Sequence, residues 1–211
     1  MIQIIDNCIP VEQQNDLENH LTSLSFPWFY CDSKQYGNEF PEPSPYEKAL
    51  EHFKGVVDTP QMIHLMYTEN GDYSDIFPKL AGLISAPTKN GESIERIIRI
   101  KANLTWPSNT RGTTSIPHID YQGDEDFMTA IYYVNESDGD TVIYDKRFGE
   151  DISDMRVLQK ISPRKGRMVL FDGKLLHAGT NPTQYRPRIL INYNFIQHQA
   201  NKVEIIKEEI K

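Results

Sequence analysis

The chain has 211 residues, enough for one substantial core and few for two independent domains. Its 38% hydrophobic and 25% charged content is ordinary for a soluble globular protein, and no apolar run approaches the ~20 residues that span a bilayer. The net charge of −8 weighs against a surface built to neutralise nucleic-acid phosphates.

The start, MIQIIDNCIP, has no basic segment and carries Asp6 within its apolar run, a poor match to a secretory leader. Cys8 and Cys31 form no CxxC pair and read as free thiols of a reducing compartment, with a single bridge between them as the alternative. A cytoplasmic protein without a membrane partner is expected.

Ile2, Ile4 and Ile5 suggest a short first strand. Pro10 then opens a helix with Val11, Leu17, Leu21 and Leu24 near one face. FPWFYCDSKQYGNEFPEPSP (26–45) reads as irregular loop, and short helical patches follow at Tyr46–Phe53 and Ile76–Ile84. After Asn90-Gly91 the character changes. IERIIRIKANLTW alternates, with Ile98, Ile100, Ala102 and Leu104 on one face and Arg99, Lys101, Asn103 and Thr105 on the other. DFMTAIYYVN (126–135), DTVIYD (140–145), VLQKIS, GRMVLFD, LLHAG and RILINYNF (188–195) continue as short strands broken by turn residues. This spacing describes a β-sandwich or jelly roll. The expected class is α+β, mainly β: a double-stranded β-helix (jelly roll) core with a supporting helical N-terminal layer. Residues 1–211 form one domain in this reading: a helix-rich support over 1–90, a jelly-roll core over 91–200 and a charged tail over 201–211.

IPHIDY (116–121) carries the chemistry. In an extended segment His118 and Asp120 point to one face and can close on one ion. A non-haem Fe(II) site needs a second imidazole and keeps positions open for a co-substrate and O₂. His177 lies 57 residues beyond Asp120, about four short strands with their turns, after the strand-turn-strand GRMVLFDGKLLH. His20 and His52 sit in helical text, His64 in a mixed segment and His198 near the tail, so each reads as a surface or packing residue. Eleven residues past His177, Arg188 opens an apolar strand. Its planar fork suits the far carboxylate of a chelating keto-diacid, with Arg186 as the competing anchor. Asn192 points inward from the same strand.

His118-x-Asp120, His177 and Arg188 resemble the HxD…H…R pattern of Fe(II)/2-oxoglutarate-dependent dioxygenases. TAIYYVN (129–135) followed by DGDT (138–141) is similar to the prolyl 4-hydroxylase branch, whose IYYLN strand runs into a Gly-Gly-x-Thr turn. The resemblance covers about residues 95–197. It implies Fe(2+) held by His118, Asp120 and His177, which are also the catalytic residues. It further implies 2-oxoglutarate anchored by Arg188 and Tyr133, with Asn103 and Asn192 as further co-substrate contacts and L-ascorbic acid as a possible additional cofactor. Tyr133 as a plain core aromatic is the alternative. Asn103 stands where many relatives have a tyrosine, and Asp140 replaces the second glycine of the turn.

The implied activity converts 2-oxoglutarate to succinate and CO₂ while hydroxylating an organic substrate, foremost a prolyl or other amino-acid residue in a peptide or protein. The same chemistry on a nucleobase or small metabolite is one alternative, and a non-catalytic jelly-roll binding protein with a vestigial metal site is another. Substrate contacts are expected from the loops Trp28–Phe40, Trp106–Ile116 and Asp145–Met155, including Arg111 and Arg147.

Overall fold

The computed structural model describes residues 1–31, 59–71, 74–86, 93–108, 114–184 and 186–198. Ten strands are described: β1 (Ile2–Ile5), β2 (Phe29–Cys31), β3 (Gln61–Thr68), β4 (Ser93–Thr105), β5 (Met128–Tyr133), β6 (Thr141–Arg147), β7 (Val157–Ile161), β8 (Met168–Asp172), β9 (Leu175–Gly179) and β10 (Arg188–His198). Helix α1 spans Val11–Leu21, and a 3₁₀ turn at Phe77–Leu80 runs into the one-turn helix α2 (Ala81–Ser85).

The strands form a seven-stranded sheet in the order β1-β8-β5-β10-β4-β3-β2 and a three-stranded sheet in the order β7-β6-β9. All the pairings are antiparallel. This is the expected jelly roll. Alternation along each strand assigns its side chains to two cores. Ile131, Tyr133, Ile143, Val169, Phe171 and Leu190 meet between the sheets. Ile100, Ala102, Tyr132, Ile191, Tyr193 and Phe195 point outward from the large sheet, where Leu17 and Leu21 of α1 pack with Leu80 and Leu83.

The N-terminal third departs from the sequence reading. Besides β1 it contributes β2 and β3, which extend the large sheet beyond β4. Those strands were hidden because β2 has three residues and β3 carries a register shift between Leu65 and Tyr67, which blurs a period-two signal. Helix α1 ends at Leu21, so Leu24 lies outside it and is fully exposed, as Val11 largely is. Its buried face is Gln14, Leu17 and Leu21, and Gln14 Nε2 donates to the Ile9 carbonyl at 2.9 Å. The patch at Tyr46–Phe53 and the tail 201–211 lie outside the described residues.

Leu21→Ala removes a fully buried anchor of α1 and should cost about 2–5 kcal/mol in urea unfolding. Leu24→Ala, by contrast, should stay within ~0.5 kcal/mol of the parent.

Candidate metal and co-substrate site

The backbone builds the site before any side chain acts. His118 and His177 form an isolated antiparallel bridge, with His118 N donating to the His177 carbonyl at 2.9 Å and His177 N returning the bond at 3.0 Å. Residues paired this way project to one side, and the two imidazole centroids lie 4.9 Å apart. His177 also pairs with Ile143 across β6–β9, which turns it inward between the sheets. His118 is held by this isolated bridge outside any regular strand and Asp120 sits in a bend two residues on. Asp120 Oδ2 lies 3.2 Å from His177 Nε2. One ligand atom from each of His118, Asp120 and His177 falls within 4.8 Å of the others.

The ring protons follow from the partners. His118 Nδ1 lies 2.9 Å from the Ile116 carbonyl and His177 Nδ1 lies 3.3 Å from the Leu175 carbonyl. A carbonyl only accepts, so each Nδ1 carries the proton and each Nε2 presents a lone pair. A lone pair 3.2 Å from a carboxylate oxygen is a repulsive contact unless a metal ion, or a second proton on His177, lies between them. The donor set therefore fits a metal ion, and the carbonyls that fix the tautomers orient the ligands as outer-shell partners do.

The carboxylate is oriented as well. Asn192 Nδ2 donates to Asp120 Oδ2 at 2.9 Å and Asn194 Nδ2 at 3.4 Å, while an Arg99 nitrogen lies 3.4 Å from Oδ1. Burial opposes ionisation of Asp120, but a proton on His177 Nε2, the Arg99 guanidinium and, least, His118 outweigh it and hold the carboxyl of the metal-free chain well below its ordinary range. His118 is moved the other way. Burial, reinforced by His177, lowers its pKa from 6.5 to about 4, with Asp120 partly offsetting.

A cleft partly open to solvent joins these residues to Arg188. Its walls include Gln61, Lys101, Asn103, Thr105, Thr141 and Asn192, with Ile131 and Leu190 as apolar floor. The β4–β10 register sets these residues in rungs: Thr105 opposite Arg188, Asn103 opposite Leu190, Lys101 opposite Asn192 and Arg99 opposite Asn194. Arg188 thus lies four residues, or roughly 13 Å of strand, from the Asn192 that orients Asp120.

Arg188 is buried at 7% exposure, and its Nη2 donates to Thr141 Oγ1 at 2.7 Å. Tyr133 donates to the same oxygen at 2.7 Å and its ring lies 5.8 Å below the guanidinium carbon. With two donors already on its oxygen, Thr141 has its own hydroxyl proton left to give. Arg188 Nε and Thr105 Oγ1 are buried without a hydrogen-bond partner among the described residues. The 138–141 turn seats the group: Asp138 accepts from Thr183 and Gln184 backbone N–H groups, and the Asp140 carbonyl accepts from Thr180 N at 2.8 Å. A Cβ on Gly139 would lie 2.7 Å from the Thr180 carbonyl oxygen and 2.9 Å from Arg188 Cδ, so glycine here makes room for the arginine.

Residues 105–196 match the family model of the 2OG-Fe(II) oxygenase superfamily. They are a 2OG-Fe(II) oxygenase domain. The protein is an oxygenase, and the family implies Fe(II) and 2-oxoglutarate as its metal and co-substrate. No curated protein matches the chain in sequence. Solved structures match its fold. One is a prolyl hydroxylase from Trichoplax adhaerens in complex with a hypoxia inducible factor peptide fragment, with TM-score 0.57, 15% identity and coverage of 92% of this chain and 83% of that one. Another is the non-haem alpha-ketoglutarate-dependent epimerase SnoN from nogalamycin biosynthesis, with TM-score 0.58, 11% identity and coverage of 92% and 78%. A 2OG-Fe(II) oxygenase family oxidoreductase from Burkholderia pseudomallei gives 0.57, 10%, 94% and 86%.

Other candidate residues of the oxygenase fall away from the cleft. His20 packs edge-on against Phe26. His64 is held at both ring nitrogens, Nδ1 2.8 Å from the Pro27 carbonyl and Nε2 2.6 Å from Ser74 Oγ. Arg186 is exposed on an outer surface with Glu136 and Asp138, not in the cleft. The loop 145–155 does not reach the mouth: Phe148, Ile152 and Met155 cover Val142, Tyr144, Leu176 and Ala178, on the face of the small sheet opposite His177. Arg147 is engaged by Asp172 and lies 3.7 Å from Asp126, a structural role. Arg111, His52 and residues 32–40 lie outside the described residues, as does the side chain of His198. Arg99, Lys101, Thr105, Thr141 and Asn194 were missed as site residues. The alternation of β4 had already put Arg99, Lys101 and Thr105 on one face, but nothing local marked that face as inward.

His118 stays neutral in the folded chain down to about pH 4, whereas the unfolded chain takes up its proton near 6.5. The metal-free protein should therefore lose stability as pH falls from about 6.5 to about 4. His118→Gln should flatten this slope in urea midpoints taken with chelator at pH 7, 6 and 5. Equal slopes would contradict the assignment.

Proposed function

We propose that the protein is an Fe(II)- and 2-oxoglutarate-dependent hydroxylase whose metal is held by His118 Nε2, His177 Nε2 and Asp120. Arg188, Tyr133 and Thr141 would receive the far carboxylate of 2-oxoglutarate, with Thr105 beside them and Asn103 along the wall. The observation that carries this reading is Arg188: a buried guanidinium facing a cleft, ~13 Å of strand from the metal rung, with Nε unpartnered among the described residues. A cation in such a place is costly unless an anion meets it, and a carboxylate fits its fork.

When bound, Fe(II) with 2-oxoglutarate supplies the O₂ chemistry and C–H oxidation. The chain's own groups do the positioning. The two histidines offer lone pairs from one side, Asn192, Asn194 and Arg99 keep Asp120 ionised and aimed, and Ile131 and Leu190 keep the floor of the cleft dry. No side-chain acid or base is needed beyond these ligands. The prime substrate belongs to the amino-acid class, as a prolyl or other residue of a peptide or as a free amino acid. Ascorbate would serve to keep the iron reduced. A cytoplasmic location fits Cys8 and Cys31, which form no disulfide.

Succinate release from 2-oxoglutarate should require Fe(II) and disappear in His177→Ala. Arg188→Ala should raise the 2-oxoglutarate concentration for half-saturation by roughly 10²-fold with metal affinity little changed, while Arg186→Ala leaves both near the parent. If Arg186→Ala has the larger effect, the anchor is misassigned. Gly139→Ala, which pushes on Arg188 without removing it, should raise the same quantity by about tenfold.

A further inference from the structure

The hydroxylase reading above, on which the following inference rests, gives no role to Lys101 or to the Oδ1 of Asn192. We propose that Lys101 and Asn192 together receive the head group of a free α-amino acid, the prime substrate. Lys101 presents three donors and no acceptor from β4, is 6% exposed and lines the cleft. Asn192 faces it from β10 in direct register. The Asn192 amide has a fixed sense, because a carboxylate only accepts and Nδ2 donates to Asp120 at 2.9 Å. Its Oδ1 is therefore a true acceptor, buried and without a hydrogen-bond partner among the described residues. Continuing across the sheet, Asn192 pairs with Ile131 of β5, part of the apolar floor.

Read across β4, β10 and β5, the rung offers a cation, an acceptor and an aliphatic surface. Neighbouring strands are ~4.8 Å apart, so the first two groups suit a carboxylate and an ammonium borne on one carbon. The same carbon would direct its side chain towards Ile131, beside the His118–Asp120–His177 cluster. A residue inside a peptide brings at most one N–H for Asn192, and a prolyl residue none, with only a neutral carbonyl for Lys101. The charge at Lys101 therefore selects the free acid over the peptidyl form. The far carboxylate of 2-oxoglutarate does not compete for this rung, since Arg188 lies ~13 Å of strand away. Its near carboxylate is the other possible source of the anion, and the test separates the two.

The full chain is loaded with Fe(II) and 2-oxoglutarate under nitrogen, and a mixture of the twenty protein L-amino acids is screened by saturation-transfer NMR. A responding amino acid is then titrated beside its C-terminal amide and its des-amino acid. The expected result is at least one responder, with both analogues bound at least tenfold more weakly. Lys101→Met should weaken the amino acid at least tenfold and move 2-oxoglutarate half-saturation less than twofold, with Lys101→Arg recovering part of the loss. No responder, an amide that binds as well as the acid, or a Lys101→Met that weakens 2-oxoglutarate instead would overturn the proposal. The comparison of acid with amide uses the parent chain and stands whether or not the variants fold. Failure of 2-oxoglutarate itself to bind the parent chain would instead remove the hydroxylase reading.

Discussion

Two backbone hydrogen bonds between His118 and His177 hold the rest of this site in place. They join the segment after β4 to the edge strand of the small sheet, and they force both imidazoles to the same side at one height. Each ring then turns its Nδ1 proton back to a carbonyl two residues earlier, Ile116 for one and Leu175 for the other. Neither ring needs a distant side chain to be oriented. The cost of holding two lone pairs and a carboxylate together in a buried place is met by the fold, and a divalent cation would relieve it.

Strand β10 supplies most of the remaining order. From Arg188 to Asn192 its alternate side chains line the cleft, running from a guanidinium through an apolar floor to an amide, and the Asn194 amide is buried just beyond. The amides hold the carboxylate, and the guanidinium waits at the other end. Because these groups share one rigid strand, their separation is set by backbone rise and not by loop conformation. The outward side chains of the same strand, Ile189, Ile191, Tyr193 and Phe195, are buried against the layer built on α1. Packing on one face thus fixes chemistry on the other.

Much of this was legible in the sequence, for physical reasons that differ from place to place. From residue 93 onward the strands have clean period-two text and turn residues between them, and β4 to β10 fall where that text puts them. The candidate ligand residues His118, Asp120 and His177 stood out by their types and spacing, and the structure gathers them, although His118 and Asp120 lie on no regular strand. What stayed hidden was long-range. β2 and β3 are too short or too irregular to declare themselves. Thr141 gains meaning only when Arg188 and Tyr133 converge on its hydroxyl, and the polar face of β4 that carries Lys101 is seen to line a cleft only when β10 is laid beside it. The loop 145–155, with its aromatic and apolar text, was read as a substrate lip; its Phe148, Ile152 and Met155 instead close the back of the small sheet.

The central claim is that three side chains grip one metal ion through His118 Nε2, His177 Nε2 and a single Asp120 oxygen. The most direct measurement is an iron anomalous-difference map from crystals of the chain grown anaerobically with Fe(II) and 2-oxoglutarate. The account predicts one strong peak within coordinating distance of all three atoms, with the far carboxylate of the co-substrate on Arg188. An iron peak elsewhere, or either imidazole turned over to bind through Nδ1, would contradict it.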